Sequence, residues 1–273
     1  MDRSGTVAVT GGGGGIGLGF VAEYARRGRK VLALALEEAQ RAEVERATAG
    51  LPGQVEFRIL DITAPGDFAF PEDIAVLINN AGIRLKNYPI EEIGMDEWRR
   101  YFDVNFFGHV DMTKRALPLM RANGRGVICN VSSSSVFVPA PFLGPYRATK
   151  GALSAFSETL RAEVEQFGIR VIEFMPGPVR TGINVESITR IMAQAVEFPP
   201  YAPMARKQHE VMKASNMVPT EIDEAARYMV DAIEAPYTRM RYGHDAASTA
   251  MMNDWRKDGG EAGIAAFIER LTP

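Results

Sequence analysis

The sequence predicts a doubly wound α/β domain, a parallel sheet of about seven strands with helices on both faces. Three observations carry this. Short apolar runs alternate with longer segments of helical periodicity from the N-terminus to residue 175. Those runs are nearly all apolar, as strands buried on both faces are. The first run also feeds directly into a glycine tract at residues 11–15, followed by a helical segment, which is where such a sheet receives a dinucleotide.

Residues 6–9 are the first expected strand and 16–27 the first helix. A strand at 30–36 precedes a charged helix at 37–48. Strands at 55–60 and 74–78 lead to a long helix at 96–122, a fifth strand at 126–131, a second long helix at 145–167 and a sixth strand at 169–175. Beyond residue 175 the pattern changes. Residues 176–218 hold several prolines and many methionines with no expected strand, and the stretch at about 182–218 reads as a loop over a binding site. A helix at 221–234, a seventh strand at 238–242 and a helix at 246–271, interrupted near Gly259 and Gly260, end the chain. No repeat or compositional break divides it, so residues 1–273 are expected to form a single domain.

Composition excludes several classes. A net charge of −3 is not the basic footprint of a nucleic-acid binder. The single cysteine, Cys129, admits no intramolecular disulfide, and its apolar run suggests a buried, inert thiol. No stretch approaches the roughly 18 apolar residues of a membrane span, and the N-terminus lacks a secretory pattern, so a cytoplasmic location is the expectation. His109, His209 and His244 are scattered without metal-ligand spacing.

A strand, a glycine loop and a helix together aim backbone N–H groups and the positive helix end at a pyrophosphate. Residues 10–17, TGGGGGIG, have that form. Tyr146 and Lys150 lie four apart in a helical segment and so share one face. A phenol with an ordinary pKa of about 10 is a poor base at neutral pH. A nearby ammonium and an oxidised nicotinamide favour the phenolate, so the pair suits a residue that takes a proton from an alcohol or gives one to a ketone. Ser133 stands thirteen residues before Tyr146, just after the fifth strand, among the hydroxyls of Ser132, Ser134 and Ser135.

These features resemble the short-chain dehydrogenase/reductase family. Gly11, Gly15 and Gly17 fit its TGxxxGxG turn, residues 79–82 its NNAG motif, Tyr146 and Lys150 its YxxxK, and residues 176–181 its PGxVxT, all in order across residues 6–181. The resemblance implies a Rossmann-type fold and an NAD(P)-dependent alcohol dehydrogenase or carbonyl reductase. It implies that Asn105, Ser133, Tyr146 and Lys150 are catalytic, Ser133 by orienting the substrate oxygen and Asn105 by holding a relay water. It implies cofactor contacts from Gly11, Gly15, Ile16, Gly17, Asp61, Ile62, Asn80, Tyr146, Lys150, Val179 and Thr181, with Asn79 mainly a buried structural amide. For Asn105 the plain alternative is a polar residue at a helix kink.

Two departures matter. The position that reads the cofactor ribose falls at Ala35, followed by Leu36, with Glu37 two residues on, no basic residue at Gly14, and Arg41 in the next helix. NAD and NADP therefore both stay open. The family's C-terminal VDGG-type segment is replaced by residues 239–244, which favours a homodimer through the two long helices over a homotetramer.

The loop residues Ile183, Ile188, Ile191, Met192, Val196, Phe198, Tyr201, Met204, Met212 and Met217 suggest a medium or large apolar alcohol or ketone, steroid-like, aromatic or fatty. Equally, they pack the loop onto the domain. Phe137, Val138 and Phe142 are expected in the same cleft, and Trp98 and Trp255 in the core or an interface. Two competing readings are a non-catalytic dinucleotide-binding regulator, which would typically lose the tyrosine or lysine, and an epimerase or dehydratase, which would show TGxxGxxG and a longer chain.

Overall fold

Neighbouring residues of each central strand feed opposite faces of one sheet. In β1 (Thr6–Thr10), Val7 and Val9 join one core while Ala8 joins the other. The computed structural model describes residues 4–181, 194–214, 219–236, 239–259, 265–266 and 269. The remaining strands are β2 (Lys30–Ala35), β3 (Gln54–Ile59), β4 (Ile74–Asn79), β5 (Gly126–Val131), β6 (Ile169–Phe174) and β7 (Arg241–Tyr242). They form a seven-stranded sheet in the order β3-β2-β1-β4-β5-β6-β7, every adjacent pair parallel. The chain order reverses between β1 and β4, which opens the crevice that a doubly wound sheet offers at its carboxyl edge.

One face is covered by α1 (Gly15–Arg26), α2 (Arg41–Thr48) and α7 (Ile222–Glu234). There Phe20, Tyr24 and Met229 pack on Val9, Ile78 and Phe174. The other face carries α4 (Gly108–Ala122) and α5 (Gly144–Val164), whose Met112, Met120 and Leu160 meet Leu32, Leu77 and Ile128. Among the described residues no helix is long and apolar enough to cross a membrane, and Cys129 is free and buried.

Several expectations are sharpened. β3 is an edge strand with alternate residues exposed, because only β2 pairs with it. The charged helix begins instead as a 3-10 turn at Glu38–Gln40, where Glu37 and Gln40 cap each other, before α2. The first long helix is α3 (Met95–Phe102), a π-helical turn (Asp103–Phe107) and α4 in succession. The described residues of the 176–218 stretch are less loop-like than expected. Val179 makes an isolated parallel bridge to Thr220, and Ala202–Ala214 forms α6. The seventh strand shrinks to two residues, and α8 (Ala246–Asp258) ends at Gly259, whose left-handed φ of 68° closes the helix.

Candidate active site

The glycine loop is shaped by contacts that leave no room for side chains. A Cβ on Gly17 would lie 2.1 Å from the Gly11 carbonyl oxygen, and Gly11 and Gly15 have φ of 64° and 52°. The α1 N-cap, Gly14, supplies no side-chain acceptor, so the first N–H groups of the helix keep their positive end for a ligand. Across the cleft, a methyl on Gly15 would come within 3.5 Å of Thr181 Cγ2. The loop and the segment after β6 therefore lie against each other at the carboxyl edge of the sheet. Ile16, beside them, is partly buried against the core.

The NNAG segment divides its two asparagines as expected only in part. Asn79 is fully buried and its Nδ2 donates to Thr113 Oγ1 (3.0 Å) and Asn130 Oδ1 (2.9 Å). Asn80 does lie at the glycine loop. However, its Nδ2 donates to the Thr10 carbonyl (3.0 Å), and its backbone N–H donates to Thr10 Oγ1 (2.9 Å). Its amide is thus spent on bracing the loop from below.

Other expected contacts spread around the crevice. Asp61 is exposed and its Oδ1 accepts from the Thr63 N–H (2.8 Å) and hydroxyl (2.7 Å). Ile62 is buried against α4. Val179 points its side chain into the core, and its carbonyl accepts from the Thr181 N–H at 2.7 Å. At the end of β2, Gln40 Oε1 accepts from the Leu36 and Glu37 N–H groups, and its side chain covers Gly13. Arg41 is held by Glu38 and lies 4.5 Å over the Phe57 ring.

At the carboxyl end of β5, Ser133 caps the 3-10 turn Ser134–Phe137 by accepting from the Ser135 N–H. Ser133 is half-buried, whereas Ser132 and Ser134 are buried, and the Ser132 hydroxyl donates to the Lys150 carbonyl (3.4 Å). The Ser135 hydroxyl oxygen is buried as well, which leaves Ser133 the partly open member of the cluster. Arg147 fastens the turn to α5, donating from Nε to the Ser135 carbonyl (2.6 Å) and from a terminal nitrogen to the Val136 carbonyl (3.1 Å). Tyr146 sits in the first turn of α5 behind Pro145, and Lys150 one turn later on the same face, its Nζ 5.9 Å from the tyrosine ring centre.

Lys150 is buried and donates to the Val131 carbonyl at 2.8 Å. Desolvation pulls its pKa down to about 8, and buried Glu173 works against that fall. Glu173 faces the same helix from β6. Its carboxylate accepts from the Ser154 hydroxyl and from Arg241 Nε (2.9 Å), and burial raises its pKa. Behind the site, His109 is also buried. Its Nε2 meets the Ala81 carbonyl at 2.6 Å, which makes Nε2 the protonated nitrogen, and burial plus the Lys150 charge lower its pKa to about 3.

Asn105 occupies the π-helical turn, a distortion common at functional sites. Its Oδ1 accepts from the Ile83 N–H (2.7 Å), and its Nδ2 donates to the Ile83 carbonyl (3.0 Å) and to Thr149 Oγ1 (3.3 Å). It therefore ties the segment after β4 to the helix carrying Tyr146 and Lys150. It stands at a distorted turn of the long helix, as the plain reading of a polar residue at a kink expected.

The predicted cleft lining is only partly realised. Phe137 turns away, packing with Met175 and Met252 and 5.6 Å from Trp255. Phe142, with a left-handed φ of 64°, packs instead with Ala195, Ala205, Tyr201 and Met204. Phe198 meets Tyr88 edge to face at 5.0 Å. Ile183, Ile188, Ile191, Met192 and Met217 lie outside the described residues, as does the side chain of Met212. Sequence reasoning missed Gln40, Arg147, Glu173 and Arg84, whose guanidinium lies 5.8 Å from the Tyr146 ring. A carboxylate inside the apolar run of β6 was the one visible signal, at Glu173.

Comparison with known proteins agrees with this geometry. A family profile described as short chain dehydrogenase matches residues 5–191. An uncharacterised short-chain type dehydrogenase/reductase of Sinorhizobium fredii is 30% identical over 239 residues, covering 80% of this chain and 95% of that protein. An uncharacterised oxidoreductase of Bacillus subtilis is 40% identical over 120 residues, 44% of this chain, and the match spans only 42% of that protein's length. Among solved structures, a short chain dehydrogenase from Burkholderia cenocepacia in complex with NADP superposes with a TM-score of 0.72 at 25% identity, covering all of both chains.

Proposed function

The chain belongs to the short-chain dehydrogenase family, and from that premise we propose that it transfers a hydride between NAD(P)(H) and a secondary alcohol or ketone, with Tyr146 as the proton donor and acceptor. The observation that carries this is the placement of Tyr146 one helical turn from the buried Lys150, at the sheet edge that also bears the glycine loop. The loop fits the cofactor, since uncapped N–H groups and glycines with no room for a Cβ suit a pyrophosphate. When bound, the nicotinamide supplies or accepts the hydride.

The chain's own residues do the rest. In the reductive direction the Tyr146 hydroxyl gives its proton to the carbonyl oxygen as hydride reaches the carbonyl carbon. In the oxidative direction the phenolate takes the alcohol proton. Ser133, turned to the open side of its buried neighbours, orients the substrate oxygen. Lys150 places a positive charge beside Tyr146, favouring the phenolate. Asn105 holds the relay end of the site in register. A buried ammonium is costly to retain, and its presence next to Tyr146 favours an enzyme over a dinucleotide-binding regulator.

The apolar residues of the covering segment, with Phe198, Tyr201 and Met204 among those described, support a substrate with a sizeable apolar body. Phe107, 55% exposed beside Phe102 and Phe106, the latter edge-on to Phe156 of α5, supports a homodimer through α4 and α5. A lone free thiol suits the reducing cytoplasm. The test follows absorbance at 340 nm with NADH and NADPH against a panel of secondary alcohols and ketones. Turnover that Tyr146→Phe abolishes supports the assignment. Near-normal turnover in that variant sinks it.

A further inference from the structure

The segment after β4 presents a cation that has no counter-charge among the described residues. Residues 83–87 are pinned from several sides. Asn105 holds Ile83, the Leu85 N–H donates to the Tyr101 hydroxyl at 2.6 Å, and the Asn87 N–H donates to Gln194 Oε1 at 3.1 Å. Arg84 is therefore aimed by its backbone and does not simply drift on the surface. Its guanidinium carbon lies 5.8 Å from the centre of the Tyr146 ring.

Its partners fall short of what burial demands. Among the described residues the guanidinium makes one hydrogen bond, from a terminal nitrogen to Asn87 Oδ1 at 3.3 Å, and Nε is buried with no acceptor. Burial pulls its pKa below the usual arginine value. Other arginines of this protein are treated differently. Arg27 and Arg29 bond Glu234, Arg241 bonds Glu173 and Glu158, and Arg147 bonds two carbonyls. Lys86, two residues beyond Arg84, pairs with Glu97 at 3.0 Å. An uncompensated guanidinium in a half-buried position is costly. The face of one phenol ring, an interaction of about 0.5–2 kcal/mol, does not offset it.

We propose that Arg84 is the substrate-recognition residue of this site and binds a carboxylate close to the reacting carbon, so that the preferred substrates are 2-oxo or 3-oxo acids and their hydroxy-acid counterparts. This rests on the hydride-transfer reading above and narrows its substrate class. A planar guanidinium matches a carboxylate with two parallel N–H···O bonds. Its position beside the ring of Tyr146, whose hydroxyl must reach the carbonyl oxygen, limits the acid group to a few bonds from that carbonyl. The glycine loop that suits the cofactor phosphates belongs to β1 and α1, a different wall of the crevice, so Arg84 is left for the substrate. The carboxylate itself is unchanged. The ketone gains a hydride at carbon and a proton at oxygen, and NAD(P)H is oxidised to NAD(P)⁺. Tyr88 and Phe198 can then hold an apolar remainder of the same molecule.

The experiment compares benzoylformate and benzoylacetate with their methyl esters, using NADH and NADPH. Wild-type protein is expected to favour each acid over its ester in kcat/KM. Arg84→Gln should cut the acid-to-ester ratio by about 10–100-fold, the worth of hydrogen bonds to a charged group, with Arg84→Lys recovering part of it. In a second arm, calorimetry measures mandelate against mandelamide on the cofactor-loaded protein, and Arg84→Gln should erase the preference for mandelate. Esters turned over as well as or better than acids, or an equal loss on both in Arg84→Gln, would overturn the inference while leaving the hydride-transfer reading intact. If no carbonyl compound is turned over, that reading fails. The binding arm then decides Arg84 alone: mandelate preferred and lost in Arg84→Gln upholds its carboxylate site, and no preference removes it.

Discussion

The two ends of the crevice are built on opposite plans. At the glycine loop the chain satisfies itself. Asn80 and Thr10 bond the loop, Gln40 closes over Gly13, and Asp61 is taken up by Thr63. Around Tyr146 the chain leaves charge in hand. Among the described residues, Lys150 is buried on a single carbonyl, His109 Nδ1 has no partner, and Arg84 Nε has none. One end is a preformed backbone mould, which needs only to be rigid. The other stores unbalanced electrostatics, which become useful only when a ligand arrives.

Four experiments break or sharpen that contrast. The largest effect is expected at the catalytic end. Tyr146→Phe should lower kcat by about 10³–10⁴-fold, near the upper range of general acid–base catalysis, while a cofactor titration by fluorescence stays within about twofold of wild type. Equal damage to both readouts would mean the two ends are not separate.

Next comes the cost of the buried ammonium. Below pH 8 Lys150 is charged in both the folded and the unfolded protein, and burial penalises only the folded form, by roughly 3 kcal/mol. As pH rises from about 8 towards 10.5 the folded protein releases the proton first and the penalty fades. Lys150→Met should therefore be more stable than wild type in cofactor-free denaturant melts at pH 6, with the advantage shrinking at pH 10. An advantage that does not change with pH argues against stored charge. In the same range wild-type turnover should decline above about pH 8, as Lys150 loses its proton beside Tyr146, His109, Arg84 and Glu173.

At the cofactor end, Gly17→Ala forces a methyl against the Gly11 carbonyl. Overpacking of about 1–3 kcal/mol should weaken cofactor binding by about 10–100-fold. Unchanged affinity would show the loop to be pliable. The smallest effect belongs to Asn80→Ala, which removes one side-chain brace worth about 1 kcal/mol and should raise the cofactor dissociation constant roughly fivefold. A loss as large as that of Gly17→Ala would assign Asn80 a direct contact with the cofactor.

The glycine turn was legible in the chain, because glycines with no space for Cβ must appear as glycine, and the candidate tyrosine, lysine and serine were legible as residue types at a spacing. Elements whose two faces are both buried were legible as well, because continuous apolar runs have few other uses. The π-helical turn was not, since it adds a residue to a helix without altering its hydrophobic pattern, and it became visible only when Asn105 reached Ile83. The two ties made by Arg241, to Glu173 at a separation of 68 residues and to Glu158 at 83, leave no local trace. Nor did the sequence distinguish Phe137 from Phe142 as cleft or core, because both are simply apolar.

By itself, then, the sequence determined the strand–helix alternation and the glycine turn and singled out Ser133, Tyr146 and Lys150 as candidates, because local backbone sterics and fixed side-chain chemistry act over a few residues. Tertiary structure alone decided that Asn80 braces and Asn105 links, that Lys150 is desolvated, and that Arg84 stands beside Tyr146 with no counter-charge among the described residues. Burial and charge compensation depend on what distant segments bring to one place, and that is a property of the folded chain.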